Sequence, residues 1–530
     1  MAFALLFQAV IIPIIASPIA YLLGKKYGTK ATGFAFAILL YATMALLFSA
    51  QSNPLDESYS WFPQSLSGSI VLSSIGHFGL YLDGISIPFT ITIYVIAASV
   101  IVYSVPYMKK KIFEQEEEYN LQTNNVGVAH ETQETLRTKS RYGLYLSLYL
   151  LYSGGMVGTV LATNLIELYF FFEFMLVPSY FLIAEFGYSK RGRVSLMYLL
   201  WTHIGALMML LSFLAIGSQT GDFVFLGPGA VKAVQLAAGL IPWIAFGIVV
   251  GMFVKLAAFG LHVWLPSTYD EAPTPVTALM AAAMTGIGGY ILIRMLTLLL
   301  PGEYIAISIG IGVWGVVTMF YGGIMALAQD DFKKLLAYSS ISQMGYIIFG
   351  LATATQLGVA GSVFQFVSHA TAKALLFMVA GLIMIQAGGL KNIRDMGGLS
   401  TKLPITATCA MIGFLGLLGF PETNGFQSEW LLFGGSLQLG AQAGVVGSWW
   451  LALSILGVIA TVITAGYALW AMKRIFFGQL PPKLSNITER SGYMLAPIIF
   501  LAAITILLGI LPGLVDGPLL ATLSHLLPLR

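Results

Sequence analysis

Long apolar runs decide most of what this chain can become. A run of about twenty uncharged, mostly apolar residues is stable in hydrocarbon as a helix, because each backbone N–H and C=O finds its partner within the segment. Such runs lie near 3–23, 31–49, 87–107, 142–160, 163–184, 194–216, 238–264, 276–299, 305–327, 335–352, 361–387, 405–435, 448–476 and 494–513. With 58% hydrophobic and 9% charged residues over 530 positions, the chain lies outside the balance of a soluble protein. It predicts an all-α, polytopic membrane protein with about fourteen transmembrane helices.

The same composition narrows function. The formal charge of +3 is spread over scattered loops, so no basic face for nucleic acid is expected. A single cysteine, Cys409, excludes an intrachain disulfide and a cysteine-built iron–sulfur cluster. No phosphate-cradling glycine loop or catalytic triad is visible, and "GGSLQLG" reads as a glycine-containing turn or helix end. The N-terminal run has no basic residue ahead of it and is followed by Lys25 and Lys26, which reads as an uncleaved first helix.

Charge placement gives an orientation. "GKKYGTK", "KKKIFEQEEE", "GYSKRGR", "DDFKK", "GGLKNIRD" and "AMKR" follow odd-numbered runs, whereas the other side carries little beyond Asp56, Glu57, Asp222, Lys232 and Glu303. Lys/Arg-rich loops stay cytoplasmic, so a chain integral to the cell membrane with both termini outward is expected. The loop "STYDEAPTP" is the exception. Residues 108–141 read as a polar cytoplasmic loop, partly helical, and 50–86 as a small ordered lid on the outer side.

Against this background the ionisable residues inside runs stand out: Glu173 in the fifth, His203 in the sixth, Lys255 and His262 in the seventh, His369 and Lys373 in the eleventh and Glu429 in the twelfth. A charge at such depth costs about 2.5–3.5 kcal/mol on insertion scales, so these groups are expected to face one another or water. His369 and Lys373 are four apart and share a helical face; Lys255 and His262, seven apart, share one if their helix is unbroken. A carboxylate beside a buried lysine controls whether that lysine holds its proton. The plainer alternatives are a static Glu173–Lys255 pair, a satisfied core histidine at His203 and a structural hydrogen-bond site at His369 and Lys373. Pro421 and Gly425 are expected to break the twelfth helix before Glu429, and Pro242 and Pro266 flank the seventh. Transporters place ion sites at such breaks, and two in corresponding halves suggest an inverted repeat.

Five stretches together, "LYFFFEFMLVPSYFLI", "FVKLAAFGLHVWLPSTYDEAPTPVTALM", "AQDDFKKLLAYSSISQMGY", "FVSHATAKALLF" and "GFPETNGFQSEW", resemble the antiporter-like membrane subunits of NADH-quinone oxidoreductase, chain M type. These are related to large subunits of Mrp-type sodium/proton antiporters and of membrane-bound hydrogenases. The resemblance covers roughly residues 75–480. It implies two inverted five-helix repeats, with helices 7 and 12 broken. The expected division is N-terminal helices in 1–110, a polar loop in 111–141, repeats in 142–299 and 303–476, and a C-terminal loop and helix in 477–530. It implies proton transfer through Glu173, Lys255, His262, His369, Lys373 and Glu429, with His203, Thr285, Asp331 and Lys333 as accessory residues; a helix cap and solvated loop fit Asp331 and Lys333 equally well. It also implies no redox cofactor in this chain, with quinone, iron–sulfur clusters and flavin assigned to partner subunits. The implied partners are other antiporter-like and small membrane subunits, a quinone-reducing peripheral arm and lipids. The departure is in "PTPVTALMAAAMTGIGGYILIRM", where Thr285-Gly286 stands in place of a lysine and Arg294 lies nearer the membrane edge. An Mrp-type subunit and a non-conducting structural subunit remain the alternatives.

Overall fold

Apolar runs of this length close into helices throughout. The computed structural model describes residues 4–52, 54–60, 77–122, 131–227, 230, 236–489 and 492–527. Its principal helices are α1 (Leu5–Tyr27), α2 (Thr32–Ser49), α3 (Ser86–Gln122), α4 (Glu131–Leu161), α5 (Leu165–Phe186), α6 (Arg191–Thr220), α7 (Ile241–Lys255), α8 (Trp264–Glu271), α9 (Thr274–Leu299), α10 (Pro301–Leu327), α11 (Phe332–Ala352), α12 (Gln356–Gln386), α13 (Pro404–Leu417), α14 (Asn424–Gly440), α15 (Val445–Phe476), α16 (Gly492–Ile510) and α17 (Gly513–Leu526). Eleven helical stretches among the described residues are long and apolar enough to cross a membrane; the first, Leu5–Ser52, contains both α1 and α2. The expected fourteen is not reached on length and composition, because the seventh and twelfth runs are each divided in two, leaving α7 and α13 as shorter apolar helices.

In the seventh run the division does not fall where the prolines pointed. Pro242 lies in the first turn of α7, and Pro266 in the first turn of α8, where a missing N–H costs nothing. The seventh run instead breaks directly after Lys255, at Ala257 (φ 51°) and Gly260 (φ 85°). Lys255 therefore ends α7 and His262 lies beyond it in the connection, so the two do not share a continuous helical face. The twelfth run breaks over residues 418–423, between α13 and α14, with Gly419 at φ 69° and Pro421 inside the gap. Carbonyls freed at both breaks receive side-chain donors: Trp264 Nε1 reaches Val254 O at 2.9 Å, and Gln343 Nε2 reaches Leu417 O at 3.2 Å.

Burial separates a centre from a rim. The most apolar stretches of α9 and α12 are completely enclosed and α11 nearly so, whereas α6, α10 and α15 leave large apolar side chains exposed. Only the centre can shelter charge from lipid. Arg294 of α9 shows how: its guanidinium is fully buried and grips Asp83 through NH1–Oδ2 at 2.8 Å and NH2–Oδ1 at 2.5 Å, while Nε donates to Tyr290 OH at 3.0 Å. Arg294 is thereby committed to anchoring α9 on the start of α3.

In the segment 50–86, expected to form a lid, the described residues include a two-stranded antiparallel sheet, β1 (Leu55–Tyr59) with β2 (Phe78–Leu82). Residues 53 and 61–76 of that segment lie outside the described residues, as does Lys232. Glu57 on β1 accepts hydrogen bonds from Leu6 N at 3.1 Å and Phe7 N at 2.9 Å, which supplies acceptors to the open first turn of α1. The polar insertion at 108–141 is helical at both ends, as extensions of α3 and α4; 123–130 lie outside the described residues.

Candidate functional site

The first group of ionisable side chains collects around the end of α7. Lys255 is 2% exposed, its ammonium has no hydrogen-bond partner, and it lies 4.9 Å from the centre of the Phe172 ring. A cation over an aromatic face at the negative end of a helix keeps some stabilisation without a fixed counter-ion. Glu173 makes its ion pair with His203, Oε2 to Nδ1 at 3.1 Å, and leaves Oε1 without a partner. No ion pair within 4 Å joins Glu173 to Lys255, although the field of Glu173 acts on Lys255. His203 is thus a direct partner of the carboxylate.

His262 lies outside that group. Its Nε2 meets Tyr321 OH on α10 at 2.8 Å, its ring packs on Tyr321 and Phe259, and its Nδ1 is buried without a partner. Thr285 is central: its hydroxyl meets Tyr269 OH of α8 at 2.6 Å, just beyond a π-helical turn, Met280–Met284, in α9. On α12, His369 Nε2 lies 3.2 Å from Ala281 O in that turn and its Nδ1 is unpartnered. One turn further along α12, Lys373 is fully buried and donates to Leu336 O at 3.0 Å and to Ser339 Oγ.

From Lys373 a polar seam runs toward the second break. Gln365, His369 and Lys373 occupy successive turns of α12, and facing them on α11 are Leu336 O, Ser339 and Gln343. Gln365 Nε2 donates to Gln343 Oε1, and Ser428 Oγ of α14 donates to Gln365 Oε1 at 2.5 Å. Glu429 follows Ser428 and is half-buried. Gly419 in the break makes room for it: a β-carbon there would come within 2.5 Å of Glu429 Oε2. Ser339, Gln343, Gln365 and Ser428 carry no charge and were not singled out from sequence; their signal is polar residues at four-residue intervals, 339 to 343 and 365 to 369 to 373.

Asp331 and Lys333 stand apart from this seam. Asp331 caps α11 by accepting from Lys334 N at 3.1 Å, and its carboxyl is held above the usual range by burial and then by the charge of Asp270. Lys333 is fully buried and donates to Asp270 O at 3.0 Å and Ala272 O at 2.8 Å, carbonyls at the C-terminal end of α8. Both residues fix how α11 starts. Among the described residues, no group of three or more His, Cys, Asp or Glu side chains is placed to hold a metal ion.

The sequence and the fold are shared with known proteins. Residues 162–469 match the family model described as NADH:quinone oxidoreductase/Mrp antiporter, TM, more than half of the chain. The chain belongs to this family. Residues 73–119 also match the model of the complex I chain 5 N-terminus. Subunit M of the F(420)H(2) dehydrogenase of Methanosarcina mazei is 30% identical over 95% of this chain and 94% of its own length. NADH-quinone oxidoreductase subunit M of Rhodobacter capsulatus is 30% identical over 73% of this chain and 76% of its own. A chain of respiratory complex I from Thermus thermophilus has the same fold, with TM-score 0.78, 23% identity and 99% of both chains covered. Within the NADH:quinone oxidoreductase/Mrp antiporter family the names of these relatives differ in electron donor, F(420)H(2) in one and NADH in the other.

Proposed function

We propose that this chain is the proton-translocating, subunit M-like membrane component of a redox-driven NADH-quinone oxidoreductase-type complex, and that it carries no redox chemistry itself. Residues 142–299 and 303–476 form its two half-channels, and both termini face outward on the strength of the Lys/Arg-rich loops. A proton reaches Lys255 under the control of Glu173 and His203, crosses α9 to His369, moves to Lys373 and leaves along the Gln343–Gln365–Ser428 seam past Glu429. His262, turned toward Tyr321, serves the neighbouring break.

The observation that carries this reading is the placement of Lys255 and Lys373 in the enclosed centre with no carboxylate among the described residues within ion-pair distance of either. Lys333 is also buried without an ion pair but is fixed by two carbonyls at the end of α8, whereas the Lys255 ammonium has no hydrogen-bond partner at all. Two ammonium groups held by a ring, a carbonyl and one hydroxyl can instead gain and lose protons as neighbouring charges change. Quinone, iron–sulfur clusters and flavin belong to partner subunits in this reading, alongside other antiporter-like subunits and lipid.

The test is to purify the complex through this chain and reconstitute it in liposomes. Co-isolated iron–sulfur subunits and quinone reduction that acidifies one compartment support the proposal. Sodium-dependent proton exchange without quinone reductase activity would replace it with the Mrp-type reading, which the shared family model also accommodates.

A further inference from the structure

We infer that the hydroxyl pair Tyr269–Thr285 is the central proton bridge of this chain, carrying protons across α9 between Lys255 and His369 where no side chain on α9 can store one. The inference rests on the proton-translocating reading above and names the residues through which it operates.

The geometry comes from three positions on α9. Gly288 packs against Lys255, close enough that a β-carbon on Gly288 would lie 3.4 Å from Lys255 Cβ. Thr285, three residues earlier, meets Tyr269 OH at 2.6 Å. Ala281, four residues earlier again, presents its carbonyl to His369 Nε2 at 3.2 Å. The three contacts lie between residues 281 and 288 of α9, Ala281 inside the π-helical turn and Thr285 just beyond it. The two halves of the molecule are therefore joined across α9 in the order Lys255, Tyr269–Thr285, His369. Arg294, the ionisable side chain of α9, is engaged by Asp83 and Tyr290.

Each member is set up to pass a proton without keeping it. The Ala281 carbonyl can only accept, so neutral His369 carries its hydrogen on Nε2 and leaves the Nδ1 lone pair free; Nδ1 is buried and has no partner. Thr285 Oγ1 lies 3.3 Å from Met280 O, a carbonyl of the π-helical turn, so at rest it donates there and accepts from Tyr269. In the transfer, a proton arriving from the Lys255 side binds the Tyr269 oxygen. The phenolic proton passes to Thr285 Oγ1, and the threonine proton leaves through an intervening water for His369 Nδ1. Charge moves by one proton, both hydroxyls end neutral, and rotation about their C–O bonds resets the pair.

The pocket around them is polar enough for this. Tyr152 OH is fully buried without a partner and shares the electrostatic surroundings of Tyr198 and Tyr269. Tyr198 OH in turn meets Ser179 Oγ at 2.7 Å and Met284 Sδ at 3.2 Å. A buried hydroxyl left unpaired beside others marks a place where water completes the network.

The experiment compares Thr285→Val, Thr285→Ser and Tyr269→Phe with Lys255→Met in the whole reconstituted complex, reading protons moved per electron pair and confirming incorporation of the chain. Thr285→Val keeps shape and removes the hydroxyl; Thr285→Ser keeps the hydroxyl. The inference expects Thr285→Val and Tyr269→Phe to fall to the Lys255→Met level and Thr285→Ser to recover the unsubstituted level. Lowering by Lys255→Met with Thr285→Val and Tyr269→Phe unaffected would overturn the hydroxyl bridge and leave the translocation reading intact. Equal loss in Thr285→Val and Thr285→Ser would also overturn it, because packing and not the hydroxyl would then matter. An unaffected Lys255→Met would remove the reading on which the bridge depends.

Discussion

Asp83 and Arg294 offer a stringent check on how this membrane interior handles charge. Arg294 is fully buried and Asp83 nearly so, and two of the three guanidinium hydrogen bonds go to that carboxylate. Asp83→Asn is the informative change. The side-chain oxygen still accepts from Ile85 N and Ser86 N at the start of α3, so the local cap survives while the counter-charge disappears. An uncompensated buried charge costs about 3–5 kcal/mol, or roughly two to more than three powers of ten in the folded-to-unfolded ratio. Arg294→Met leaves Asp83 with its contacts to Ile85 and Ser86 and is expected to cost less. The double variant removes both charges and should recover most of the loss. The assay is thermal unfolding of the purified complex together with incorporation of the chain. Because Arg294 anchors and does not relay, the assembled double variant should move as many protons per electron pair as the unsubstituted complex. Asp83→Asn within about 1 kcal/mol of the unsubstituted protein would refute the bidentate account. A well-assembled double variant that no longer translocates would show that Arg294 carries protons.

Other expected outcomes follow from single contacts. Gly419→Ala places a β-carbon 2.5 Å from the Glu429 carboxylate at φ 69°, so it should cost about 1–2 kcal/mol and lower proton output at unchanged assembly; unchanged output would detach Glu429 from the exit. Trp264→Phe removes the side-chain donor to Val254 O, which keeps its bond from Ala257 N, and should destabilise the chain by about 0.5–1.5 kcal/mol, measured by thermal unfolding. Asp331→Ala should cost about 1 kcal/mol as a lost cap and leave proton transfer intact; a change in stoichiometry with normal folding would make Asp331 part of the path.

Much of the fold is readable from sequence because hydrocarbon leaves few choices: apolar runs become helices, and Glu173, Lys255, His369, Lys373 and Glu429 announce themselves as exceptions within them. The break of the twelfth run was legible from Pro421, whereas that of the seventh was legible in kind and not in place. Pro242 and Pro266 drew attention, yet both fit first helical turns, and the turn after Lys255 passes through Ala257, a residue type that favours helix. What permits it is the indole of Trp264 supplying a donor to Val254 O from across the gap, a tertiary contact. The pairing of Glu173 with His203 was likewise hidden, since the nearest charge in the family pattern is Lys255, and helix packing alone decides which partner is reached. The π-helical turn in "MAAAM" has no local signature, although it positions both Thr285 and the carbonyl facing His369.

The central claim is that Lys255 is a working proton carrier, held in the bundle's centre without an ion-pair partner so that its protonation can change during turnover. Protons moved per electron pair by the reconstituted complex carrying Lys255→Met measure this most directly. The account predicts a lower ratio in a fully assembled complex, and an unchanged ratio at normal assembly would contradict it.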